Sequence, residues 1–150
     1  MGCSDRLAIV TGTSSGIGAA LANALLTDGW TVVGLARREA GIDHPSYRHV
    51  AVDLGDLDAL KRVAENDLGT LVTDNRWTRV ALVNNAAISG GKQGLEDTDP
   101  DELAHLLIVN TVSPIYLMGF ITGTVLPAVA LRVVNISSGA AVRAFPGLGD

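Results

Sequence analysis

"TGTSSGIG", residues 11–18, joins a short aliphatic run to an amphipathic one. A glycine-rich turn that opens a helix aims backbone N–H groups and the positive end of the helix dipole at one point, so it makes an anion site. Gly12 allows a sharp turn, Gly16 lets the backbone approach a pyrophosphate, and Gly18 permits close helix–sheet packing. Ser14 and Ser15 add hydroxyl donors, and Ile17 starts the apolar side of the helix. An ordinary strand–helix turn also needs glycine. Three glycines at this junction favour the nucleotide reading.

Outward from this turn, aliphatic runs alternate with helical patterns. Residues 7–10, 31–36, 49–54, 80–84 and 132–137 read as strands without a clean period of two, as strands buried on both faces do. Ile17, Leu21, Ala24 and Leu25 recur at helical spacing, and Gly29 falls where a C-terminal cap belongs. Leu57, Leu60, Val63 and Ala64 repeat the pattern after Asp56, a candidate N-cap. Asp99-Pro100 opens a longer helix expected to reach about Pro127, with Pro114 as a kink. The fold class expected is α/β, a doubly wound parallel sheet of the Rossmann type.

Composition sets limits around this reading. A chain of 150 residues with 47 % hydrophobic and 18 % charged residues can bury a real core in one domain. A net charge of -5 and the lack of a basic stripe argue against nucleic acid as a partner. The single cysteine, Cys3, suits a cytoplasmic location and rules out internal disulfides. Met1-Gly2-Cys3 hints at acylation, but Arg6 stands where the myristoylation pattern wants Ser or Thr. The apolar run 115–131 is broken by Gly119, Gly123 and Pro127 and reads as a buried helix, not a membrane span. His44, His49 and His105 are scattered and offer no metal-ligand spacing.

The turn has the form T-G-x-x-x-G-x-G, and here the chain resembles the short-chain dehydrogenase/reductase family. Further matches follow in the family's order: Asp53-Leu54, "NNAA" at 84–87, Asn110 in the long helix, and "NISS" at 135–138. Ala87 departs from the family's usual Gly. The resemblance runs along essentially the whole chain, and "VVGLARR" with "NISSGAAVRAFPG" looks most like the sepiapterin reductase and benzil reductase branches. It implies hydride transfer between a nicotinamide and the carbon of a small carbonyl or alcohol substrate. It also implies a homo-oligomer built partly on the long helix. By the same resemblance Asp53 and Leu54 border the adenine, with helix capping as the alternative for Asp53. The backbone of Asn85, Ala86 and Ala87 lines the ribose and nicotinamide side.

Cofactor choice can be read locally. An acidic residue at the end of the second strand would accept the ribose hydroxyls and repel a 2′-phosphate. Ala36 holds that place and Arg37-Arg38 follow, so NADP(H) is favoured over NAD(H). The alternative is that both arginines are solvated surface charges.

Family catalysis uses a Tyr whose pKa, ordinarily about 10, is lowered by a Lys in Tyr-x-x-x-Lys. Ser138 matches the serine that holds the substrate oxygen, and Asn110 matches the asparagine that supports a proton-relay water. The tyrosines here are Tyr47 and Tyr116, followed four positions on by Ala51 and Phe120, so neither begins the motif. Family spacing sets the catalytic Tyr just past Asp150. The expectation is a single nucleotide-binding domain over 1–150, cut after about the fifth strand and lacking the catalytic helix and last strands. Two functions stay open: the N-terminal portion of an NADPH-dependent carbonyl reductase, and a non-catalytic NADP(H)-binding module.

Overall fold

The computed structural model describes residues 4–90 and 95–139. The Met1-Gly2-Cys3 stretch, most of the 89–94 loop and the tail from 140 onward lie outside the described residues.

Five parallel strands form one sheet: β1 (Arg6–Thr11), β2 (Thr31–Ala36), β3 (Tyr47–Ala51), β4 (Arg79–Asn84) and β5 (Ala130–Asn135), in the order β3-β2-β1-β4-β5. The chain builds outward from β1 to β3, then returns to the other side of β1. This reversal opens a crevice above the carboxyl ends of β1 and β4. Alternation along β1 explains the two layers. Leu7 and Ile9 enter a core shared with Leu60, Leu68, Val72, Leu117 and Ile121, while Ala8 and Val10 pack with Ala22 and Leu26 of the opposite face. The second layer is α1 (Gly16–Thr27), closed by a Schellman turn in which Gly29, at φ 79°, lets Trp30 N–H donate to the Leu25 carbonyl.

On the other face α2 (Leu57–Val63) continues through a π-helical turn, Ala64–Leu68, into α3 (Gly69–Val72). Asp56 caps α2, accepting from Ala59 N–H at 2.9 Å. Asp53 instead accepts from Gly55 N–H at 2.9 Å, so the capping alternative for Asp53 falls away. Asp99 caps α4 (Pro100–Leu107), with Pro100 in its first turn. A second π-helical turn, Ile108–Val112, leads into α5 (Ser113–Thr124). Pro114 has no N–H for the Asn110 carbonyl, and the turn widens where that bond is missing. The long helix thus changes register once, and it ends at Thr124, short of the expected Pro127.

Two strands sit earlier than the sequence suggests. The third runs Tyr47–Ala51, not 49–54, because Val52 makes the last ladder bond (to the Ala36 carbonyl, 3.2 Å) before Asp53 turns the chain. The fifth runs Ala130–Asn135, not 132–137, its end fixed by the pairing of Asn84 with Asn135. The Asn84 amide donates to Asn135 Oδ1 at 2.8 Å. Ser137 and Ser138 follow the strand end, in the loop above the sheet.

The apolar side chains of the long helix divide. Leu117 and Ile121 are fully buried, whereas Leu103, Leu107, Val112 and Ile115 are exposed. The stretch Pro100–Thr124 is long and apolar enough to cross a membrane by length and composition alone. Its Leu117–Ile121 stripe packs on the sheet as a core helix does.

Candidate functional site

Above the switch point lies a cleft of about 300 Å³, bordered by Gly12, Ser14 and Ser15, by Arg37 and Arg38, by Asp53 and Leu54, and by Asn85 to Ile88. It falls within the size range of small-molecule and cofactor sites. Four separate segments meet there because β1, β2, β3 and β4 all end on this side.

The glycine turn is geometrically committed. Gly12 and Gly16 have φ of 75° and 58°, values in the left-handed region that disfavours other residues. A Cβ on Gly12 would lie 2.9 Å from Asn85 Nδ2, and one on Gly18 would lie 2.2 Å from the Gly12 carbonyl oxygen. Gly16 faces open space, with nothing within 4 Å of a Cβ position. Ser15 stands at the N-cap of α1 without its side chain bonding the helix, and no acidic residue occupies the first turn. Those helix N–H groups therefore meet no competing carboxylate from their own turn. Ile17 is 65 % exposed at the mouth of the turn.

The turn is also fastened to its neighbours. Thr11 Oγ1 accepts from the N–H groups of Asn85 and Ala86, both at 2.9 Å, and Asn85 Nδ2 donates to the Thr11 carbonyl at 2.9 Å. Gly12 N–H donates to the Leu35 carbonyl at 2.8 Å. Sequence reading singled out Asn85 but gave Thr11 no role. Its position before Gly12, at the end of a buried strand, was the available signal.

At the far side Arg37 and Arg38 project from the end of β2, after Ala36. Arg37 Nη1 lies 3.9 Å from Asp53 Oδ2, with both side chains roughly half exposed or more (66 % and 45 %). Such a pair is loose and water-screened. The loop beneath Asp53 is braced from the helical side. Ser113 Oγ, fully buried, donates to the Leu54 carbonyl at 2.6 Å. The His105 ring covers Gly55, where a Cβ would stand 2.1 Å from Cε1. His105 is exposed on one side and a wall on the other. Neither Ser113 nor Gly55 carried a sequence signal, since each depends on how helix and loop cross.

Asn110 sits in the π-helical turn and turns both ends of its amide to one residue. Oδ1 accepts from Ile88 N–H at 2.9 Å and Nδ2 donates to the Ile88 carbonyl at 2.8 Å. This holds the segment after β4 along the cleft edge. Ser138 is exposed beyond β5 and is not among the residues bordering the cleft. Gly16, Ile17 and Gly18 belong to the turn without lining the cleft wall. Among the described residues no group of three or more His, Cys, Asp or Glu could hold a metal.

Residues 6–149 match the short chain dehydrogenase family. The chain belongs to that family. Its relatives include a benzil reductase ((S)-benzoin forming) of Bacillus cereus, 30 % identical over 152 residues, a match spanning 96 % of this chain and 61 % of that protein. L-xylulose reductase of Homo sapiens is 34 % identical over 148 residues, spanning 93 % and 55 %. A short-chain dehydrogenase/reductase structure from Burkholderia vietnamiensis superposes with a TM-score of 0.90 at 28 % identity, over 97 % of this chain and 69 % of that one. A Brucella ovis family member in complex with a partially ordered NAD gives 0.81 at 27 % identity, over 95 % and 67 %. The chain therefore spans less than two thirds of the benzil reductases' length. It is an oxidoreductase-family chain with the family's fold, and the family's cofactors are the nicotinamide dinucleotides.

Proposed function

We propose that this chain is the nucleotide-binding portion of an NADPH-dependent carbonyl reductase acting on a small molecule. The observation that carries the reading is the cleft's second-strand side, where Ala36 replaces an acid and Arg37 and Arg38 border the space. The residues fit the cofactor. The open backbone at Gly16 and the N-terminus of α1 suit a pyrophosphate, and the arginines suit a 2′-phosphate. Asp53 and Leu54 border the adenine, and Asn85 to Ala87 the ribose and nicotinamide side.

When bound, the cofactor supplies a hydride to a carbonyl carbon. This chain's part is to orient: Ser138 holds the carbonyl oxygen, and Asn110 keeps the post-β4 segment in place and supports a relay water. Proton delivery needs a Tyr-x-x-x-Lys segment, which these 150 residues do not contain. The chain by itself should therefore bind NADPH and leave carbonyl compounds unreduced. The benzil reductase and L-xylulose reductase relatives point to a dicarbonyl or ketose-like ketone as substrate. The single cysteine fits a cytoplasmic setting, and the exposed stripe of α4 and α5 supports a homo-oligomer. A non-catalytic NADP(H)-binding module is the second reading, favoured by Ser138 standing outside the residues that border the cleft.

The test is fluorescence titration with NADPH and NADH, followed by turnover of a diketone with and without an in-frame extension carrying Tyr-x-x-x-Lys. Selective NADPH binding, turnover only in the extended protein, and its loss in Ser138→Ala are expected. Equal affinity for the two cofactors would remove the argument from the arginines.

A further inference from the structure

Thr13 lies at the centre of the glycine turn, yet it is fully buried and does not border the cleft as Ser14 and Ser15 do. Its hydroxyl faces the sheet, where it shares a 3.1 Å hydrogen bond with the hydroxyl of Tyr47. Tyr47 belongs to β3, and β2 lies between β3 and β1. The two hydroxyls can meet because the intervening strand carries Gly34. A Cβ there would stand 2.3 Å from the Tyr47 oxygen and 2.4 Å from Thr13 Oγ1. Gly34 is not one of the glycines with positive φ, so the backbone does not require glycine at that position. Glycine inside a strand weakens it and often marks a place where another group comes close. Here that group is a phenol reaching across β2 to the turn.

We infer that Tyr47 is a positioning residue for the ligand-holding turn, acting through Thr13 in the gap left by Gly34. The other ties already described hold Thr11 and Gly12, the turn's entry. The Tyr47 bond holds the next residue, from which Ser14 and Ser15 rise to the cleft and the chain runs on to the open backbone at Gly16. It sets their height over the sheet and so their reach to a pyrophosphate. The inference rests on the cofactor reading only for the identity of the ligand.

The test is Tyr47→Phe in the full chain, which keeps the ring packed beside Val32 and removes only the oxygen. Hydrogen exchange of the amides at 12–16 should quicken by roughly three- to tenfold while the rest of α1 is unchanged, in line with the net worth of one hydrogen bond. NADPH affinity should fall by a similar factor of about three to ten. Affinity for adenosine 2′-monophosphate, which has no pyrophosphate, should be unaltered. Thr13→Val should reproduce both effects, and the double variant should be no worse than either single one. Unchanged exchange in the turn would overturn the inference, as would equal losses for the two ligands, the mark of general loosening. If the unaltered protein binds no NADPH, the cofactor reading fails, and the exchange measurement alone decides the role of Tyr47.

Discussion

Among the described residues Arg37 is tied only by a 3.9 Å contact to Asp53, and it is 66 % exposed, so its guanidinium can turn to a 2′-phosphate at little cost. Charge-assisted hydrogen bonds of that kind contribute about 1.5–3 kcal/mol. Arg37→Ala should therefore weaken NADPH binding by roughly ten- to a hundredfold and shift NADH by less than about twofold. Calorimetric titration of both cofactors checks this, and parallel losses would contradict it. Gly18 offers a residue-scale test of the turn's geometry. A methyl there would meet the Gly12 carbonyl at 2.2 Å, so Gly18→Ala should destabilise the protein by about 3 kcal/mol or more. A urea midpoint within error of the parent's would show that the turn can yield.

At the scale of the element, the π-helical turn Ile108–Val112 connects the helix to the cleft edge through Asn110. Asn110→Leu leaves both backbone groups of Ile88 without partners, which should cost about 2–4 kcal/mol. A lower urea midpoint at constant slope is the expected signature. Asn110 was legible as a family match, but its clamp on Ile88 was not, because that contact joins residues brought together only by the packing of the helix over β4. The same division runs through the fold. β2 was readable to the residue, since Thr31–Ala36 is one unbroken run. β3 was misplaced because Val52 and Leu54 are apolar without being strand; they fill the core under the cleft. Tyr47 and Arg48 looked like loop, although they pair with Val32 and Val33. Among the residues that border the cleft, those on a single segment, such as Gly12, Ser14 and Ser15 or Arg37 and Arg38, could be grouped from sequence. Thr11, Thr13, Ser113 and Gly55 could not, since each gains its role from a neighbour far along the chain.

For the whole molecule, Leu103, Leu107, Val112 and Ile115 leave an exposed apolar stripe on one face of α4 and α5, with Ile115 58 % exposed. Among the described residues β5 is also a sheet edge, paired only with β4. Sedimentation at micromolar concentration should show a dimer or larger species. Leu107→Lys with Ile115→Lys should shift it toward monomer without altering the far-ultraviolet spectrum. A parent protein that sediments as a monomer would refute the stripe as an interface. The glycine turn has a further consequence at this scale. Because its residues are bonded to Leu35 of β2, Tyr47 of β3 and Asn85 after β4, it is a knot in which much of the sheet's upper rim is gathered. A ligand that grips the knot must also oppose the parting of those strands. Occupancy would then be felt as resistance to unfolding, about 2.7 kcal/mol at a hundred times the dissociation constant. The melting curve would report what fills the cleft.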